Sequence, residues 1–308
     1  MPEESGAYFK KRFDKRKDSQ SQNRLAARLK PFLLRRTKQQ VAKDLPPRTE
    51  EEVYAKMEGV QLQLYKSELR RIQKALLGVD SDEEVKKNSF AILQGLMRLR
   101  QICCHPHLIE PKTEPPEGYK YDKVESAKLN ALFYLLDQLR EEGHKVLVFS
   151  QFVRMLDIIK TRLDEEGRPY HYLTGQIKDR KGVIESFQTT KEPSVFLLSL
   201  KAGGAGLNLT SASYVVLYDP WWNPAVENQA IDRTHRIGQK NKVIAYRLLT
   251  RDSVEEKIRV LQHQKNQLVT NVLGDEGFAS SLDLNDLQFI LAHGGDDSDG
   301  DDEPPLDV

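Results

Sequence analysis

The sequence has 308 residues, 39% apolar and 30% charged, with 47 Lys and Arg against 46 Asp and Glu for a formal charge of +1. That length allows about two domains, and that apolar share can build a real core, which excludes a wholly disordered chain. No stretch approaches the roughly 18 apolar residues of a spanning helix, and the opening MPEESGAYFKKRFDKRK is charged where a secretion signal is greasy, so the expectation is a soluble, non-secreted protein.

The near-zero net charge hides an asymmetry. Met1 to Glu50 holds 14 basic and 6 acidic residues. Such a basic arm fits a polyanion partner such as nucleic acid, and equally a solvated helix face. Apolar residues at three and four spacing predict helices over Arg24–Gln40, Gln61–Leu77 and Phe90–Cys103. Leu45–Arg48 (LPPR) breaks the first of these, and the Pro-rich Glu110–Tyr121 marks a domain boundary near residue 120. The two cysteines, adjacent at Cys103 and Cys104, cannot form a disulfide framework and fit a reducing compartment. Cys103–His107 (CCHPH) is read as a helix end rather than a metal site, because zinc wants a second ligand pair.

From Lys123 the pattern changes. Short apolar runs at Lys145–Phe149, Tyr170–Leu173, Val195–Leu200, Tyr214–Tyr218 and Val243–Leu249 predict strands. Between and around them, helices are expected over Lys128–Glu142, Phe152–Glu166, Asp179–Gln188, Pro224–Arg236 and Ser253–Leu268. Alternation of this kind gives an α/β fold, a parallel sheet with helices on both faces and ligands at the carboxyl ends of the strands. From Asp283 onward there are nine acidic and no Lys or Arg residues, and the end GGDDSDGDDEPPLDV (residues 294–308) reads as a disordered tail.

Four segments can carry chemistry, and each has a structural account beside it. In KAGGAGLNLT (Lys201–Thr210) the glycines Gly203, Gly204 and Gly206 let the backbone approach a phosphate closely, or simply make a tight turn. In NPAVENQAIDRTHRIGQ (Asn223–Gln239) a helix opened by Asn223 and Pro224 puts Gln229, Arg233 and Arg236 along one side. Two guanidiniums there can clamp a phosphoryl group, or Asp232 and Arg236 can form a surface ion pair. In YDPWWNP (Tyr218–Pro224) one tryptophan can pack inward while the other rests on a sugar or base, or both can line the core. In FSQF, Ser150 and Gln151 can donate to a phosphate, or Ser150 can cap the helix.

In order, FLLRRTK at Phe32, SAKL at Ser126, VLVFSQF at Val146, YLTG at Tyr172, LLSLKAGGAGLNLT at Leu197, DPWWNP at Asp219 and QAIDRTHRIGQ at Gln229 closely resemble the second half of a SWI/SNF-type DNA translocase motor. The resemblance covers roughly residues 8 to 270 and implies the second of two RecA-like lobes. The implied divisions are a basic segment over 1–44 leading from a first lobe, a helical protrusion over 45–120, the RecA-like lobe over 121–275, and an extension with an acidic tail over 276–308. The sequence has no Gly-Lys dipeptide, hence no GxxxxGK[ST], and no DEAH-like box. It is therefore expected to be the C-terminal part of a larger motor, or a subunit whose partner supplies the other lobe, with ATP and Mg held mainly by that first lobe.

The resemblance further implies that Arg233 and Arg236 are arginine fingers positioned by Gln229 and Asp232, and that Gly204 and Gly206 lie against the nucleotide. Ser150, Gln151, Lys201 and Trp222 would contact double-stranded DNA, with Arg35, Arg36, Arg98 and Arg100 as basic residues of the protrusions and brace. Nucleosomes or other DNA-bound proteins are the implied targets, in a nucleus or a bacterial nucleoid. Competing readings are a non-catalytic DNA-docking module and a lobe of a DEAD-box RNA helicase, the latter disfavoured by Gln239 where those enzymes often carry Arg.

Overall fold

A computed structural model describes residues 45–75, 81–109, 125–203, 207–222, 224–265 and 282–292. The helix expected over Arg24–Gln40, Arg35, Arg36, Gly204, Gly206, the connector beyond Ile109 and the acidic end beyond Ala292 lie outside those residues. The chain divides at Leu45 and Pro46, and every element below belongs to the second unit.

The first elements are β1 (Arg48–Ala55), α1 (Gly59–Ala75), α2 (Asp82–Lys87) and α3 (Ser89–Cys104), followed by a 3-10 turn at Pro106–Leu108. Alternation then begins with α4 (Ala127–Glu141), β2 (Val146–Ser150), α5 (Val153–Glu165), β3 (Tyr170–Leu173), α6 (Arg180–Thr189), β4 (Val195–Ser199) and the one-turn α7 (Leu200–Gly203). It closes with β5 (Tyr214–Leu217), α8 (Pro224–Ile231), β6 (Val243–Thr250), α9 (Val254–Lys265) and α10 (Leu284–Leu291).

Six parallel strands form one sheet in the order β1-β6-β5-β2-β4-β3. The side-chain period of two sorts the strand residues between its faces. Val146 and Val148 pack with Leu132, Phe133 and Leu136 of α4 and with Met155 and Ile159 of α5. Leu147 and Phe149 pack on the other side with Phe187 of α6 and with Ala230 and Ile231 of α8. Both faces are thus covered, which suits strands that read as continuous apolar runs. A third cluster joins α1 and α3 to α9 and α10.

Two elements differ from the sequence reading. Residues 48–55 lie in the stretch expected as helical protrusion, yet they form a strand paired with β6 from Arg48↔Val243 to Ala55↔Thr250. RTEEEVYA has no apolar alternation because β1 is an edge strand whose central glutamates stay in solvent; pairing with β6 creates it. The helix expected to run to Arg236 stops at Ile231, and residues 232–238 form successive turns. Gly238 ends them at φ +102°, a conformation open to glycine at little strain.

Candidate functional site

In a parallel sheet all carboxyl ends share one edge, and three of the candidate segments meet there. β2 ends at Ser150, whose fully buried hydroxyl accepts the N–H of Phe152 at 3.1 Å and so closes the turn into α5. The N–H of Gln151 donates to Oδ2 of Asp219 at 3.1 Å, linking the ends of β2 and β5. Burial raises the Asp219 carboxyl to about 6, against the opposing pull of Arg100, the Ser150 hydroxyl and the Gln151 N–H. Oδ1 of Asp219 and Nε2 of Gln151 are buried with no hydrogen-bond partner among the described residues. Lys201 is brought to this edge by α7, whose Ala202 N–H is capped by the Ser199 hydroxyl at 3.2 Å.

Trp222 requires a correction. The resemblance implied that Trp222 contacts DNA, but Trp222 is only 3% exposed and packs in the α1–α3–α9 cluster. The guanidinium of Arg100 lies 4.4 Å from the centre of its ring, and Gln262 donates to its carbonyl at 2.8 Å. Trp221 is the partly exposed tryptophan, packed against the opposite cluster. Neighbouring indoles do point apart, and the apolar space between α3 and α9 takes the second. Arg100 is likewise internal, donating to the Pro220 carbonyl, and Arg98 holds Glu68 at 2.8 Å.

Arg233 and Arg236 lie elsewhere. A crossover helix runs against the strands, so α8 carries the chain from the carboxyl edge back toward their amino ends. Asp232 sits 3.5 Å from Arg48 at the start of β1, and His235 bonds the Pro46 carbonyl at 2.8 Å. The expectation that every motif gathers at the carboxyl edge is therefore corrected. The turns after Ile231 replace helical spacing, and Gln229 remains exposed on α8. Arg233 is nonetheless buried, and Arg236 Nη1 donates to the Leu207 carbonyl at 3.1 Å, just beyond the glycine stretch. Burial and the neighbouring Arg236 lower the Arg233 pKa, with Asp232 partly compensating.

Gln239 holds this segment together. Its Nε2 donates to the carbonyls of Ala212 at 2.8 Å and of Thr210 and Thr234 at 3.2 Å, while Oε1 accepts from Asn241 N–H at 2.9 Å. Lys128 is a second brace that sequence reasoning left without a role. Its fully buried ammonium meets Glu255 at 2.6 Å and the Tyr218 carbonyl at 3.1 Å. Burial opposes that charge, but Glu255 with Cys104 and Cys103 outweighs it and the pKa is raised. Ser126 caps α4 and donates to the Cys104 carbonyl at 2.6 Å, tying the SAKL motif to α3. The CCHPH segment is a helix end: α3 stops at Cys104, and His105 Nδ1 accepts from His107 N–H at 3.1 Å. Among the described residues, no three His, Cys, Asp or Glu side chains converge as metal ligands.

Residues 127–238 match the family described as helicase conserved C-terminal domain, and residues 3–108 match the SNF2-related domain. Together with the relatives below, these matches support a SWI/SNF-type motor. The matched region and the fold correspond to the C-terminal, RecA-like part of such motors. Over 247 residues the chain is 41% identical to the human SWI/SNF-related matrix-associated actin-dependent regulator of chromatin subfamily A member 1, covering 78% of this chain and 23% of that one. It is 37% identical over 283 residues to an uncharacterized ATP-dependent helicase of Mycoplasma pneumoniae, covering 91% and 26%. The chain spans about a quarter of the length of these curated relatives. Among solved structures, the Sulfolobus solfataricus SWI2/SNF2 ATPase core in complex with dsDNA aligns at TM-score 0.64 and 30% identity, over 93% of this chain and 60% of that one. The C-terminal domain of that ATPase aligns at TM-score 0.61 and 29% identity, over 80% and 99%. No helix among the described residues is long and apolar enough to cross a membrane.

Proposed function

We propose that the chain is the second lobe of an ATP-dependent double-stranded DNA translocase. In this reading Arg233 and Arg236 reach the γ-phosphate across the cleft, Asp232 and Gln229 help to position them, and Gly204 and Gly206 meet the nucleotide through their backbone. ATP and its Mg are held mainly by a first lobe of the same protein, and no step is assigned to a metal on this chain. The carboxyl edge meets the DNA backbone through Gln151 and Lys201, with Ser150 shaping the turn and Arg35 and Arg36 adding charge. Trp222 acts indirectly, by packing under that edge. Targets are nucleosomal DNA or DNA-bound proteins, in a nucleus or nucleoid.

The observation that carries this reading is the arginine pair. Arg233 is buried, and Arg236 Nη1 donates to the Leu207 carbonyl at 3.1 Å, so both stand on one turn segment just beyond the glycine stretch. Two guanidiniums on such a segment can neutralise an anionic phosphoryl group, most of all when charge builds in the transition state. Binding of nucleotide by the first lobe draws the second lobe closed, hydrolysis releases it, and alternating grips on the DNA backbone give stepping without sequence readout.

Arginine fingers contribute roughly 10³ to 10⁵ in turnover. Arg236→Ala in the complete two-lobed protein is expected to remove most DNA-stimulated ATP hydrolysis while duplex affinity stays within a few-fold; parallel losses in both would refute the role. The 308-residue chain alone is expected to release no phosphate from ATP, and duplex-stimulated release by pure protein would overturn that. Tighter binding of RNA than of duplex DNA would favour an RNA helicase lobe instead.

A further inference from the structure

We propose that the exposed basic face of α1 is a docking surface for the acidic segment Asp296–Glu303 of the same chain. This inference does not rest on the translocase reading. α1 buries Tyr65, Leu69 and Ile72 in the helical core and turns Lys66, Arg70 and Lys74 to solvent. Four-residue spacing puts the three cations on one side, about 6 Å of helix rise apart at each step. The helix has one carboxylate, Glu68, which is buried and held by Arg71 at 2.6 Å and Arg98 at 2.8 Å. It is not available to the stripe, and among the described residues Lys66, Arg70 and Lys74 make no ion pair. Like charges at i and i+4 destabilise a helix, so an anion along this face would stabilise it.

The path of the chain selects the occupant. Gln73, on the flank of α1 beside Lys66 and Arg70, donates to the Leu291 carbonyl at 2.7 Å, and Lys257 of α9 donates to that of Ala292. α10 therefore delivers the chain to the end of α1 only four residues before Asp296. Asp296, Asp297, Asp299, Asp301, Asp302 and Glu303 follow, with no Lys or Arg among them. The lead from Ala292 reaches at most about 14 Å and the acidic run at most about 25 Å. The stripe from Lys66 to Lys74 is about 12 Å long, so the run can cover it. Individually such exposed ion pairs are weak, but a short tether holds the carboxylates at an effective concentration near the millimolar range.

Carbodiimide coupling, which joins amine to carboxylate without a spacer, tests this on the full chain at low salt. The expected products join Lys66 or Lys74 to residues 296–303 and vanish in about 1 M salt, where the screening length is about 3 Å. Links spread evenly over exposed lysines such as Lys178, Lys191 and Lys240, or none from α1, would overturn the proposal. A second measurement uses an endoproteinase that cuts after acidic residues. In the Lys66→Gln, Arg70→Gln, Lys74→Gln variant it should cleave the 296–303 segment several-fold faster than in the parent, and equal rates would count against docking. If duplex DNA protects the α1 lysines from acetylation while no link to the segment forms, the face is a nucleic-acid surface and the proposal falls.

Discussion

Gln239 shows how one side chain can set a functional segment. Its amide donates to three carbonyls and accepts one N–H, a pattern that neither Glu nor Arg can reproduce, since one lacks donors and the other an acceptor. Gln239→Glu would set a carboxylate against those carbonyls and is expected to destabilise the chain by roughly 2 to 4 kcal/mol, read from urea unfolding; a loss under about 1 kcal/mol would mean the bonds contribute little. Asp219 makes a pH prediction. Its folded pKa, about 6, lies above the ordinary 3.8. The folded state therefore binds the proton more tightly, and the associated stability, present below pH 4, is lost as pH rises to about 6. Two pH decades at about 1.4 kcal/mol each amount to roughly 3 kcal/mol. Asp219→Asn should flatten stability across that window, and an unchanged profile would place the titration elsewhere.

At the scale of elements, the buried Lys128–Glu255 pair joins α4 to α9 beneath the end of β5. Removing one partner leaves a bare charge in the core, which typically costs about 3 to 5 kcal/mol, whereas replacing both with apolar residues costs little. Lys128→Ala should therefore lower the unfolding free energy by about that amount, and Lys128→Met with Glu255→Leu should recover most of it; equal losses in both would mean the pair is not the cause. The same joint isolates Cys103 and Cys104, whose thiols are pushed well up by burial and so lack thiolate reactivity. α8 matters by its length. Ending at Ile231 instead of Arg236, it leaves the arginines on turns, where Leu207 and Gln239 rather than helical spacing set their positions.

For the whole molecule, the two candidate regions lie at different ends of one sheet, joined through α8 and the segment 207–212. The proposed contact of the carboxyl edge with the DNA backbone predicts duplex binding whose log affinity falls linearly with log salt, by about 0.9 for each phosphate neutralised. A salt-independent affinity would argue against backbone contact. The core strands, the amphipathic helices and the family were legible in the sequence, because a period of two or of 3.6 and a glycine or proline in a turn are local properties. Edge strand β1 was not, since RTEEEVYA becomes a strand only by pairing with β6 about 195 positions away. Nor was the burial of Trp222 beneath Arg100, the Lys128–Glu255 pair or the early end of α8. The sequence determined the candidate residues for chemistry and most of the elements that hold them. Tertiary structure alone decided which of those residues stay exposed and which became braces, because burial and charge pairing depend on contacts between segments far apart in the chain.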